Sequence, residues 1–311
     1  MQRRHFLAAS ALPLLAGRVL AADSALRILV GAPPGGGTDL VARAAAQELS
    51  GRLHRTITVE NRPGAAGNIA AAQVAKDPDA LLLCYTSHVI NPSLFASLPF
   101  DPIKDFTPLS LVARSPLLLV ARPDFPASTF PELQALAKKR SVSIGIAGIG
   151  SANHLASEML RKQGGMELLS VSYKGAVPAL TDAMGGQIDL VLSNVASAQT
   201  FVAARKLKVL AVSTAQRVAA YPDAAPIADV LPGFDYSSWY GLLGAAGMKP
   251  QDVEAIGAAT ALAVRSEAMR RHLQSEGLEP VGSTPAEFAR FLQQEVERWR
   301  KVVALTGTKV A

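Results

Sequence analysis

Cysteine is nearly absent from this 311-residue chain: Cys84 stands alone, so no internal disulfide can form and stability rests on packing. Within Leu81-Leu82-Leu83-Cys84-Tyr85 it reads as a buried strand residue rather than a thiol nucleophile served by His88. Aromatic residues make up only 5%, too few for base-stacking surfaces. Charged residues are sparse at 18%, and three of the six net positive charges are Arg3, Arg4 and Arg18 near the amino terminus. The rest of the charge is diffuse, which argues against a nucleic-acid partner. No apolar run reaches the ~18 residues that a bilayer-spanning helix needs, so the chain beyond its first residues is expected to be soluble, with no membrane insertion.

Catalytic signatures are missing too. No Gly-Lys-Ser/Thr follows the main glycine-rich turn, which excludes a nucleotide P-loop. There is no His-Glu-x-x-His and no Gly-x-Ser-x-Gly elbow. The five histidines cluster with neither the cysteine nor paired carboxylates, and His154 with Glu158 at i,i+4 supplies too few ligands for a metal. No catalytic residue, cofactor or metal is therefore expected.

The chain opens Met1-Gln2-Arg3-Arg4-His5-Phe6-Leu7, continues through a short apolar stretch, and reaches small residues at Ala21-Ala22. A basic start, apolar centre and small-residue cut site describe a secretory leader over 1–21. Arg3-Arg4-x-Phe6-Leu7 resembles a twin-arginine signal, with ordinary Sec export as the alternative. No cysteine follows the leader, so lipid anchoring is not expected, and the mature chain belongs outside the cytoplasm.

Beyond the leader the most informative stretch is Arg27-Ile28-Leu29-Val30-Gly31-Ala32-Pro33-Pro34-Gly35-Gly36-Gly37-Thr38-Asp39. An apolar strand runs into three glycines and then into the helical pattern beginning at Leu40. Backbone without Cβ atoms, next to the unpaired first amides of a helix, makes an anion cradle. Asp39 would repel a carboxylate, so it is assigned to capping or bracing this turn. A second turn, Gly148-Ile149-Gly150-Ser151-Ala152-Asn153-His154, half-matches a dinucleotide fingerprint but lacks its third glycine and the ribose-binding acid. Ser151 and Asn153 can cap the following helix, face a ligand, or both. Three more polar strand-end turns carry Thr86 and Ser87, Tyr173 and Lys174, and Ser193 and Asn194.

Apolar runs alternate with helical patterns along the chain, as in parallel sheets covered by helices. Strands are expected over 26–30, 56–60, 81–85, 142–147, 168–172, 187–193, 207–212 and 239–243. Apolar runs 109–114 and 116–122, split at Ser115-Pro116, mark a crossing between two lobes. Long helices over 250–274 and 285–305 close the chain, the second opened by the capping-box spacing Thr284-x-x-Glu287. The expected organisation is 22–115 plus 233–311 as one lobe and 116–232 as the other. Ligands of such sheets sit at strand carboxyl ends, where all five polar turns fall.

Pro33-Pro34-Gly35-Gly36-Gly37-Thr38-Asp39 with Ala42-Arg43, and Val59-Glu60-Asn61-Arg62-Pro63-Gly64-Ala65-Ala66-Gly67-Asn68, resemble the Bug family. These are extracytoplasmic solute receptors of tripartite tricarboxylate transporters. The likeness continues through Lys104-Asp105-Phe106, Tyr173-Lys174-Gly175, Gly185-Gly186-Gln187-Ile188-Asp189, Trp239-Tyr240-Gly241-Leu242 and Thr284-Pro285-Ala286-Glu287-Phe288, covering the whole mature chain. Ala66 and Ala70 depart from the family's usual glycines, and 77–82 lacks its usual Gly-Tyr-Thr-Leu run. The resemblance implies an α/β, two-lobed periplasmic binding protein of the type II, Venus-flytrap class, with two mixed, mostly parallel sheets and a hinge. It implies a monomer in the periplasm that holds a small carboxylated solute between the turns at Pro34–Asp39 and Gly148–His154, partly through water, and delivers it to a membrane permease. The rival readings are a ligand-sensing module for a membrane sensor kinase and an exported enzyme using the same cleft.

Export is directly measurable. Periplasmic protein should have an intact mass that begins near Ala22; a mass that retains Met1 would refute the leader. Lysine at both Arg3 and Arg4 should block export by the twin-arginine route, whereas unimpaired export would assign the leader to Sec.

Overall fold

Short leucine- and β-branched-rich runs form the strands, and most are buried on both faces, as strands covered by helices must be. A computed structural model describes residues 25–148 and 150–308, so the leader reading over 1–21 lies outside the described residues. In chain order the first elements are β1 (Leu26–Val30), α1 (Gly37–Leu53), β2 (Ile57–Asn61), α2 (Asn68–Val74), β3 (Ala80–Tyr85), α3 (Ser87–Leu94) and β4 (Phe106–Ala121). Next come α4 (Phe130–Ala137), β5 (Val142–Ile146), α5 (Ala152–Gly164), β6 (Leu168–Ser172), α6 (Ala176–Met184), β7 (Leu190–Asn194), α7 (Val195–Ala203) and β8 (Lys208–Val212). The chain returns through β9 (Ser237–Ala245), α8 (Pro250–Arg265), α9 (Glu267–Ser275), β10 (Glu279–Pro280) and α10 (Pro285–Thr306).

The strands are ordered β2-β1-β3-β9-β4-β7-β5-β6, with β8 and β10 also paired to β4. Pairing is parallel among β2, β1 and β3 and among β6, β5 and β7. It is antiparallel wherever β4 or β9 takes part, which makes the sheets more mixed than the alternation of runs suggests. The two apolar runs around Ser115-Pro116 are one continuous strand of 16 residues. Its stretch 106–116 pairs with β9, and its stretch 117–121 pairs with β7 and β8. Pro116 has no N–H to donate and is tolerated at this change of partner.

A buried serine fastens the junction. The Ser213 hydroxyl, fully buried just after β8, accepts from the Leu117 N–H at 3.0 Å and donates to the Tyr236 carbonyl. Backbone bonds Ser213 N–H to Leu117 carbonyl (3.0 Å) and Tyr236 N–H to Ser213 carbonyl (2.9 Å) complete the knot. Behind it α10 crosses the junction, with buried Glu295 accepting from the indole N–H of Trp239 (2.9 Å) and of Trp299 (3.0 Å) and pairing with Arg298.

On the face covered by α3, α5 and α10, one apolar core runs through both blocks, from Leu29 and Val74 through Trp239 and Trp299 to Phe130 and Leu155. On the other face the core is divided. One part gathers Ile28, Val41, Leu49, Tyr240 and Leu273; the other gathers Leu118, Leu180, Val191 and Val195.

Two local expectations are corrected. Thr86-Ser87-His88-Val89-Ile90-Asn91-Pro92 reads in sequence as a strand-end turn, but α3 begins at Ser87 and contains Pro92, because burial of Val89, Ile90 and Leu94 outweighs the proline. The helix expected over 250–274 is two helices broken at Ser266, whose extended backbone (ψ 146°) and hydroxyl, accepting from the Met269 N–H at 3.2 Å, cap α9.

Ser213→Ala leaves a buried N–H and a buried carbonyl without their side-chain partner. It should lower unfolding stability by about 1–3 kcal/mol in urea titration; an unchanged midpoint would show that the knot contributes nothing.

Candidate functional site

The turn after β1 keeps the shape expected of an anion cradle. Gly35 takes φ +82°, the left-handed region open to glycine, while Gly36 is extended (φ −84°, ψ 168°) and serves as the N-cap of α1 with no side-chain cap. Pro34, Gly35, Gly36 and Gly37 are exposed; Thr38 and Asp39 are buried. Asp39, only 2% exposed, faces back into the turn. It accepts from the Gly35 N–H (2.9 Å), from Arg43 Nε (2.9 Å) and from the Asn61 amide (3.0 Å). Asn61 also donates to the Ala32 carbonyl at 3.1 Å. Burial alone would raise the Asp39 pKa, but Arg43, the Gly35 amide and Asn61 together hold it below the usual carboxylate range. Its charge braces the loop.

In the second turn the Ser151 hydroxyl caps α5, accepting from the His154 N–H (3.2 Å) and donating to the Gly148 carbonyl (2.7 Å). His154 Nδ1 accepts from the Gly150 N–H at 3.1 Å, and burial lowers the pKa of this ring. Buried Asn153 donates to the Leu192 carbonyl at 2.9 Å, tying the turn to β7. The Tyr173 N–H donates to the Ile146 carbonyl at 2.9 Å, which sets the ends of β5 and β6 side by side. The Tyr173 hydroxyl donates to Asp182 (2.9 Å), and Lys174 is exposed. Thr86 is buried, its hydroxyl accepting from the Trp239 N–H at 3.1 Å, and Ser87 donates to the Ala66 carbonyl at 2.9 Å. Ser193 is fully buried, whereas Asn194 is half-buried and caps α7 without a side-chain hydrogen bond.

One cavity of about 100 Å³ lies where the second face of the core divides. Gly37 from the α1 turn and Asn194 at the start of α7 line it together, and no residue of the second turn does. Its wall also holds two groups that the sequence reading did not single out, Ser115 and Tyr240. A Cβ on Gly37 would stand 2.9 Å from the Tyr240 hydroxyl, so glycine is what lets that phenol reach the start of α1. Burial pushes the Tyr240 pKa up to about 12 and keeps the phenol a donor. Tyr240 was visible in the Trp-Tyr-Gly-Leu motif; Ser115 carries no local signal beyond its place at the crossing.

No nucleophile is prepared nearby. The Cys84 thiol donates to the Gly241 carbonyl (3.2 Å), and burial raises its pKa. His88 is packed between Phe100 and Phe106, and burial lowers its pKa to about 4. Among the described residues no group of three acidic, histidine or cysteine side chains could hold a metal ion, and no helix is long and apolar enough to cross a membrane.

A sequence model of the family described as "Tripartite tricarboxylate transporter family receptor" (TctC) matches residues 41–307. The chain belongs to this family. Solved TctC-like structures share its α/β fold. An adipate-bound protein of R. palustris is 30% identical, covers 92% of this chain and 98% of its own, and superposes with a TM-score of 0.81. The periplasmic binding protein BugD is 30% identical over 92% of this chain and 98% of its own, TM-score 0.77. MatC from Rhodopseudomonas palustris with bound malate is 29% identical over 90% of this chain and 98% of its own, TM-score 0.75. The TctC chain is thus a solute-binding receptor and not an enzyme.

Two substitutions separate cradle from brace. A Cβ on Gly36 meets only the Pro33 carbonyl, at 3.8 Å, so Gly36→Val should fold with a near-native melting temperature yet lose carboxylate binding. Asp39→Asn should keep affinity for a plain carboxylate the same or tighter and cost about 1–3 kcal/mol of stability. Because the folded pKa of Asp39 is depressed, that stability difference is present at neutral pH. It should shrink as pH falls below about 4, through the unfolded and then the folded value. Calorimetry and pH-dependent melting check both; a large loss of carboxylate affinity in Asp39→Asn would place its charge on the ligand.

Proposed function

We propose that this chain is a periplasmic receptor that closes on a small carboxylated solute and delivers it to a membrane permease of the tripartite tricarboxylate type. In this reading 22–115 plus 233–311 form one lobe and 116–232 the other, hinged near Ser115 in β4 and near Tyr236–Trp239 where the chain enters β9. The observation that carries it is the α1 turn. Its exposed backbone is braced from behind by buried Asp39, which exposed Arg43 and half-buried Asn61 hold in place, so the amides at the start of α1 are presented to an anion. Carboxylates bound to two of the related structures, adipate and malate, support this ligand class. The leader over 1–21 supports export, and the receptor is taken to act as a monomer without a cofactor.

Closure exchanges the hydration of the carboxylate for fixed backbone dipoles, and the closed shape is what a permease can distinguish from the open one. The test is a thermal-shift series with small carboxylates followed by calorimetry. A true ligand at ~100 times its dissociation constant should stabilise the protein by about 2.7 kcal/mol. Failure of every carboxylate to raise the melting temperature would overturn the ligand class. Uptake that survives deletion of the gene, with a lost transcriptional response to the acid, would assign the receptor to a sensor kinase instead.

A further inference from the structure

The cavity beneath the α1 turn holds a polar group with no partner. Ser115 is fully buried in β4 at the crossing, and its hydroxyl makes no hydrogen bond. Other buried serines near this strand are engaged: Ser110 donates to the Ser283 carbonyl at 2.7 Å, and Ser213 bridges Leu117 and Tyr236. Leaving a buried hydroxyl unmade is costly, so a site that retains one invites a partner from outside the chain. Ser115 lines the same cavity as the Tyr240 hydroxyl and as Asn194, Ala196 and Ser197 at the start of α7. The nine-residue helix α7 has no side-chain cap, so its first amides and the positive end of its dipole are left for a ligand. Two helix starts, one from each block, and the hydroxyl-bearing residues Ser115, Ser197 and Tyr240 thus surround one small space.

We propose that this cavity is a second anchor, taking the far carboxylate of a short dicarboxylate whose near carboxylate lies on the α1 turn. The inference rests on the carboxylate-receptor reading and deepens it. Ser115, Tyr240 and the first amides of α7 donate to the far carboxylate. A cavity of about 100 Å³ admits a carboxylate on a short methylene arm rather than a ring. The one carboxylate on the wall is half-buried Glu276, at the end of α9, with His272 one turn before it. Its charge weakens a dianion relative to what the donors alone would give.

The experiment is calorimetric titration of the mature protein with straight-chain dicarboxylates of three to six carbons and with their monoamides. The best dicarboxylate should bind wild type at least ~10-fold more tightly than its monoamide, as hydrogen bonds to an ionised group are the stronger ones. Ser115→Ala and Tyr240→Phe should each weaken that dicarboxylate by about 10-fold and leave the monoamide within about threefold. Glu276→Gln should tighten the dicarboxylate several-fold. Ser115→Ala removes a hydroxyl that bonds to nothing in the free protein, so its melting temperature should match wild type and misfolding cannot account for the loss. Equal binding of diacid and monoamide by wild type, or unchanged diacid binding in both hydroxyl variants, overturns the second anchor while the receptor reading stands. If wild type binds none of these diacids, the second anchor is overturned, while the carboxylate reading is decided by the wider thermal-shift series. Gly36→Val marks the difference, since it should abolish diacid and monoamide alike.

Discussion

The backbone of β4 belongs to two sheets at once, and the rest of the molecule is arranged around that fact. Its first eleven residues hydrogen-bond to β9 and its last five to β7 and β8, so neither block has an independent edge at the junction. The return of the chain has to be tied at the same level. Ser213 does so with one hydroxyl that joins β4, the end of β8 and the approach to β9. Every buried backbone polar group at the crossing must find a partner within this narrow zone, which explains why a small hydroxylated residue sits there instead of an apolar one.

The same crossing accounts for the asymmetry of the core. One face is continuous across both blocks and sealed by α10, whereas the other separates into two clusters. The continuous face joins the blocks along α10, and the divided face leaves a polar gap between the starts of α1 and α7. A site made mainly of helix starts and hydroxyls can attract an anion while keeping the net charge of the wall low. In the α1 turn, buried Asp39 is paired with Arg43 and serves as a structural brace.

Much of this was legible in the sequence where the signal is local. The strand–glycine–helix pattern of 27–46 located the α1 turn, and like-charge repulsion alone assigned Asp39 to bracing. Family motifs named Ala66 as a departure from glycine; it adopts φ +54°, a left-handed conformation in which glycine pays no steric penalty. What was hidden depends on partners distant in sequence. Ser115 and Pro116 read as a break between two runs, because nothing nearby in the chain reveals that β9 and then β7 extend the strand past them. Pro92 obscured α3, whose stability comes from tertiary burial. The hydroxyls of Thr86 and Tyr173, read as available to a ligand, are held by Trp239 and Asp182, long-range or loop-crossing contacts that no motif encodes.

Glu295 has a consequence for how this protein can be observed. The chain contains two tryptophans, and both donate their indole N–H to this one buried carboxylate. Trp239 lies in β9 beside the crossing, and Trp299 packs edge-on against Tyr236 with ring centres 5.6 Å apart. All of the indole emission therefore originates within the field of a single carboxylate at the level where the two sheet blocks meet. Any change in how the two sheet blocks pack at this level alters that field and the stacking around it, so the tryptophan fluorescence of the unlabelled protein reports on the junction between the blocks.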